Sequence, residues 1–132
     1  MSKKQYRSML LLAIISVLIV GCATMGSLRP GSGSTFEIYD RTYEEIWKAA
    51  VRVIGRSLTI VESNKKSGVI KAEARAGLAT WGEVIGVFIA PTRKGEKRYI
   101  VEILSLKRVR YQITGQNWEP AIIAGIKAEL DM

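Results

Sequence analysis

Between Tyr43 and Arg56 the apolar residues Tyr43, Ile46, Trp47, Ala50, Val51 and Ile54 recur at intervals of three and four, with Glu44, Glu45, Lys48, Arg52 and Arg56 on the opposite face. That spacing predicts an amphipathic helix. Thr42-Tyr-Glu-Glu45 at its start reads as a capping box, in which hydroxyl and carboxylate each satisfy a backbone N–H left over at the helix end. Phe36 to Tyr39, just upstream, alternates like a short strand. Past Gly55 the period falls to two. Leu58 to Val61 reads as a strand, Asn64 to Gly68 as a turn, and Val69 to Ala74 sets Ile70, Ala72 and Ala74 against Lys71, Glu73 and Arg75. Ala79 to Ala90 is apolar on both faces and interrupted by Gly82 and Gly86. It predicts a central, bent strand approached closely by another backbone. After the turn Pro91 to Glu96, Tyr99, Val101 and Ile103 share a face opposite Glu102, and the pattern resumes at Val109, Tyr111 and Ile113. Asn117 stands where it can cap a last helix, striped by Trp118, Ile122, Ile126 and Leu130. The order β-α-β-β-β-β-α predicts an α+β domain: an antiparallel meander with both helices covering one face.

Upstream of these elements the pattern is different in kind. Lys3, Lys4 and Arg7 precede an apolar run from Met9 to Val20, which ends in Gly21-Cys22. A basic start, a short apolar stretch and a small-residue end make a secretory signal peptide. The run of about 12 residues is short of the roughly 20 that a membrane-spanning helix needs. Ala23 to Thr35 is rich in Gly, Ser and Pro and has no apolar period, so it reads as a flexible linker with ends about 20 Å apart. Three segments follow: 1–21 as signal peptide, 22–35 as N-terminus and linker, and 36–132 as one folded domain.

The charge depends on that division. The whole chain carries 20 basic and 12 acidic residues, a formal +8. Losing Lys3, Lys4 and Arg7 leaves 17 against 12, or +5. Such a surplus would suggest nucleic acid in a cytosolic protein. In an exported one it points to anionic lipid or acidic protein surfaces, and no nucleic acid is expected.

Chemistry is sparse. The chain contains no histidine, which removes the commonest general base and the main transition-metal ligand. Its one cysteine, Cys22, leaves no disulfide to form. Asp40 and Asp131 lie at element ends, and Glu83 with Glu102 form the least implausible pair of catalytic carboxylates, though a solvated sheet face accounts for them better. Gly82-Glu-Val-Ile-Gly86 lacks the Lys-Ser/Thr ending of a phosphate loop. Trp47 and Trp118 fall on helix stripes and read as core; Trp81 is not assigned. No enzymatic activity, metal or cofactor is therefore expected. In a meander, the turns 64–67 and 91–96 share one end of the sheet, so Lys65, Lys66, Arg93, Lys94 and Lys97 would gather on one rim able to contact an anion. The simpler reading is that turns are solvated and rich in lysine. Lys107, Arg108 and Arg110 read as charges that blunt an exposed strand edge.

Ile19-Val20-Gly21-Cys22 resembles the lipobox of bacterial lipoproteins. The resemblance implies cleavage between Gly21 and Cys22, with a lipidated Cys22 as the new N-terminus. Two acyl chains already hold a protein stably at a membrane. Ala23, in place of aspartate, implies sorting to the outer membrane in a diderm host. The elements from Tyr39-Asp-Arg-Thr-Tyr-Glu-Glu-Ile-Trp47 through Gly68-Val-Ile-Lys71 to Thr114-Gly-Gln-Asn-Trp118 resemble helix-grip domains of small envelope lipoproteins, among them the C lipoprotein of the outer-membrane β-barrel assembly machinery. This implies a non-enzymatic envelope protein that binds another envelope component. A small-ligand carrier, with a cavity between sheet and long helix, is the alternative, against which an interior packed with Trp47, Trp118, Phe88 and Ile123 would speak.

Overall fold

A computed structural model describes residues 3, 5, 23–76, 82–109 and 116–132. The signal-peptide run, Gly21, Cys22, Trp81, Arg110, Tyr111 and Ile113 lie outside the described residues. The chain forms β1 (Ser34–Tyr39), α1 (Tyr43–Ser57), β2 (Thr59–Asn64), β3 (Val69–Ala74), β4 (Glu83–Pro91), β5 (Arg98–Lys107) and α2 (Trp118–Glu129). All five strands join one antiparallel sheet in the order β1-β5-β4-β3-β2. This is the α+β meander with two helices that the hydrophobic pattern predicts. The first two strands become opposite edges because α1 carries the chain diagonally across the sheet.

α1 begins where its capping box stands. Thr42 Oγ1 accepts the Glu45 N–H at 3.3 Å, and Glu45 Oε2 accepts the Thr42 N–H at 2.7 Å. Ile46, Trp47, Ala49, Ala50 and Ile54 are buried against the sheet. α2 lies beside α1 over β5 and β1 and buries Ile122, Ile126 and the following Leu130. The helices also meet at Glu129, which bridges Arg52 at 2.7 Å and Arg56. Asn117 holds the N-cap position of α2, but its side chain makes no capping bond.

The two faces of the sheet are unlike. On the helix side, Ile38, Ile70, Ala72, Ile85, Val87, Ile89, Val101 and Ile103 close one core with the helix stripes. Trp47 is buried there, and Trp118 and Ile123 pack on it half-buried. Phe88 does not belong to that core. Strand alternation turns it to the other face, where it packs on a smaller cluster of Leu28, Val84 and Leu104.

Leu28 is the surprise, because it comes from the stretch whose composition reads as a free linker. It is 3% exposed. Residues 23–33 run along the back of the sheet: Ala23 donates its N–H to the Arg108 carbonyl at 3.1 Å, and Met25–Ser27 forms a single 3-10 turn. Gly31, Ser32 and Gly33 then all donate to Glu102 Oε1, at 2.7, 3.0 and 2.8 Å. Polar, glycine-rich composition reports low apolar content. It does not reveal that one leucine and three amides have complementary partners on a distant strand.

Gly86 shows the same packing from the other side. A Cβ there would stand 2.9 Å from the Phe88 ring and 3.4 Å from the Leu28 Cβ. The close approach expected at this glycine is made by side chains instead of a second backbone. β4 is nevertheless the central strand, as the doubly apolar pattern predicts.

β5 lies between β1 and β4, but only its first part is flanked on both sides, so Lys107 and Arg108 stand where its β1 side is open. Arg108 forms an ion pair with Glu73 at 2.5 Å. β1 ends its pairing at Ser34 with Ile103, so the last residues of β5 lack a strand on that side. Glu119 of α2 fills part of the gap: Oε1 accepts the Ser105 N–H at 3.0 Å and Oε2 the Ser34 hydroxyl.

Candidate functional site

The sheet has two ends of different character. The upper end collects the end of β1, the start of α1, and the β2–β3 and β4–β5 turns. The pairings Asn64 with Val69 and Pro91 with Tyr99 place both turns there, and Gly68 accepts the Ile89 N–H at 2.8 Å. Lys65, Lys66, Arg93, Lys94 and Lys97 are all exposed at this end, so the five candidate cations share one rim. They are not alone. Lys65 forms an ion pair with Glu44, and its carbonyl accepts the Tyr43 hydroxyl at 2.5 Å. The Lys65 ammonium beside Glu44 holds that carboxyl below its ordinary value. Glu45 is held low mainly by the Thr42 N–H and hydroxyl, with Arg41 and Lys97 adding their charge. The rim is a mixed surface with a basic excess.

Tyr43 is the residue that pattern reasoning did not single out here. Its ring lies 5.8 Å from Tyr99 and 6.3 Å from Trp47, so it joins the core to the β2–β3 turn through its hydroxyl. Its position at the head of the helix stripe was visible in the sequence. Its reach to the Lys65 carbonyl, 22 residues away, was not. Asp40 and Asp131, the two aspartates, occupy left-handed turn positions at φ 55° and 53°, which aspartate tolerates better than most residues. Both serve the backbone of element ends.

The lower end holds the start of β4, the end of β5 and the N-terminus of α2. Glu83, Ser105, Lys107, Gln116, Asn117 and Glu119 line a polar cavity of about 330 Å³ there. Glu83 is 2% exposed; its Oε2 accepts the Ser105 hydroxyl at 3.2 Å, and its Oε1 has no partner among the described residues. Burial pushes the Glu83 carboxyl above its ordinary value, opposed by the Ser105 hydroxyl, the Lys107 charge and the Gln116 backbone. A desolvated carboxylate that lines a cavity binds a proton or a hydrogen-bond donor readily.

Glu83 and Glu102 are not a catalytic pair. Odd-numbered β4 residues face the helices, whereas Glu102 points to the back and is occupied by three N–H groups. The carboxylates are separated by the sheet itself. Among the described residues no group of three or more His, Cys, Asp or Glu is placed to hold a metal ion.

No family model and no curated protein matches the sequence. Among solved structures, the chain is similar to the adenylate sensor from AMP-activated protein kinase in complex with the ribofuranotide ZMP. Identity is 12%, the match covers 78% of this chain and 98% of that one, and the TM-score is 0.48. At that level the likeness carries no weight for function.

Proposed function

We propose that this chain is a lipid-anchored, non-enzymatic lipoprotein of the bacterial cell envelope, whose α+β domain binds another envelope component. The observation that carries the reading is Ile19-Val20-Gly21-Cys22 at the end of a basic-then-apolar leader, with the only cysteine at the lipidated position. Two features support a binding role. The candidate carboxylates lie on opposite faces, and the basic residues of two turns share one exposed rim. The anchor is tested by Cys22→Ser and metabolic labelling with a fatty-acid analogue. The unaltered chain takes up label and fractionates with membranes; label retained by the variant overturns the lipobox reading.

One observation favours a second reading, a small-ligand carrier. The buried Glu83 faces a cavity of about 330 Å³ between the sheet and α2, not beside the long helix α1. Its polar lining suits a small amine and not an apolar ligand. Titration calorimetry with short alkylamines tests it, and equal heats from the unaltered chain and Glu83→Gln reject it.

A further inference from the structure

We infer that residues 23–33 act as a strap that fixes the domain's pose on the membrane, seating the lower end of the sheet on anionic headgroups and turning the basic rim away. The inference rests on the lipoprotein reading. Its own ground is the path of the chain after Cys22. Ala23 is held to Arg108 at the end of β5. Leu28 clusters with Val84 and Leu104, and Ala23 and Met25 pack against that cluster together with Phe88 and Leu106. Gly31 to Gly33 are bound by Glu102. The spacer between a lipidated Cys22 and the folded domain is then one peptide unit, about 3.8 Å between Cα atoms. A free linker of 14 residues would have let either end approach the bilayer.

The distances decide which surface meets lipid. β5 is ten residues long and runs from the upper end at Arg98 to the lower end at Lys107. At about 3.3 Å per residue the rim stands roughly 30 Å from the tether. With the strands upright on the bilayer, that is more than three screening lengths, the Debye length at physiological salt being about 8 Å. At the lower end, Arg75 and Lys107 are exposed, and Arg108 is half-buried against Glu73. Of the other acids there, Glu83 is withdrawn into the cavity and half-buried Glu119 is engaged by the Ser105 N–H and the Ser34 hydroxyl. An anionic bilayer is the occupant that both the tether and this charge select. The rim is left facing the aqueous space, where its partner is not the membrane that holds the protein.

The test uses the full, processed chain in vesicles of phosphatidylglycerol and phosphatidylcholine. Acylation occupies Cys22, so Arg75→Cys or Lys94→Cys supplies a single thiol for a fluorophore. Mass analysis of the N-terminal peptide and vesicle flotation come first. An unacylated, non-floating chain overturns the lipoprotein reading and this inference with it. For chains that float, nitroxide-labelled lipid headgroups should quench the Arg75→Cys probe at least threefold more than the Lys94→Cys probe. Adding Leu28→Ala and Glu102→Ala to free the strap should bring the two values together. Equal quenching in the otherwise unaltered chain, or stronger quenching at position 94, overturns the pose while leaving the anchor intact. Both probe sites are exposed, and circular dichroism confirms that each labelled chain is folded.

Discussion

Glu102 receives the backbone N–H of Gly33 at 2.8 Å, although 69 residues separate them, and the same oxygen also takes Gly31 and Ser32. Gly33 has to be glycine for this approach, because a Cβ would stand 2.2 Å from the Ile103 carbonyl oxygen. One carboxylate thus turns a glycine-serine stretch into part of the fold. Hydrogen bonds to a charged acceptor contribute about 1.5–3 kcal/mol each at most, and less when half exposed. Glu102→Ala should cost about 2 kcal/mol in urea unfolding, and Glu102→Gln less. Hydrogen exchange at residues 31–33 should accelerate in both, more in the alanine variant.

The strap also carries a buried side chain. Leu28→Ala should destabilise the domain by about 2–3 kcal/mol, in the range of leucine truncations in cores. A chain trimmed to residues 34–132 should be at least that much weaker than one trimmed to 23–132. It should also associate at high concentration, since Val84 and Leu104 lose their cover. Equal midpoints for the two chains, measured by chemical unfolding, would return residues 23–33 to the status of a linker.

Trp47 tests the main core. It is 8% exposed and packs against Tyr43 beneath α1. Trp47→Ala should cost about 3–5 kcal/mol, a large share of the roughly 5–15 kcal/mol that holds a typical domain together. The midpoint of cooperative thermal unfolding is the readout.

Glu83 gives the stability a pH dependence of definite sign. Its folded-state carboxyl sits above the ordinary value of 4.5 because burial disfavours the charge. Between 4.5 and that raised value the folded chain binds more protons than the unfolded one, so stability falls as pH rises through the window. Glu83→Gln keeps a partner for the Ser105 hydroxyl and should remove this fall. Unfolding measured from pH 4 to pH 8 should show the variant gaining on the unaltered chain as pH rises. Glu37, Glu44, Glu45 and Glu129 are shifted the other way, chiefly by the Tyr39 hydroxyl, Lys65, the Thr42 N–H and Arg52 respectively. Their contribution is lost only as pH drops below 4.5, so the two effects separate.

The rim should bind acids through long-range charge. Changing Lys65, Lys66, Arg93 and Lys94 together to Gln should shift stability by less than about 1 kcal/mol, since exposed pairs such as Lys65 with Glu44 contribute little. A chain of residues 23–132 should bind poly-glutamate at low salt, lose affinity at physiological salt, and bind more weakly when the four residues are changed. Salt-independent binding, or equal binding by the variant, would mark the rim as solvated turns.

Much of the fold was legible in the chain because local order speaks through local spacing. The helix at Tyr43, its cap at Thr42, the alternation of β3 and the stripe of α2 each need only residues within a few turns of one another. The basic rim was legible for a related reason: in a meander, alternate turns must share an end. That the open stretch of strand beside Lys107 and Arg108 belongs to β5 was not legible, because strand order depends on where β1 inserts, and a crossover by α1 leaves no trace in hydropathy.

The amino-acid sequence by itself determined the leader and its cysteine motif, the helices, and the alternation that separates the helix face of the sheet from its back. Those follow from covalent order and periodicity. Tertiary structure alone decided that Glu83 and Glu102 face opposite ways across the sheet, that Phe88 leaves the main core, and that residues 23–33 are bound instead of free. Each of these rests on contacts between residues far apart in the chain, such as Glu102 with Gly33 and Leu28 with Leu104. Such contacts exist only once the sheet has brought its strands to 4.7–4.9 Å spacing and given every side chain a face.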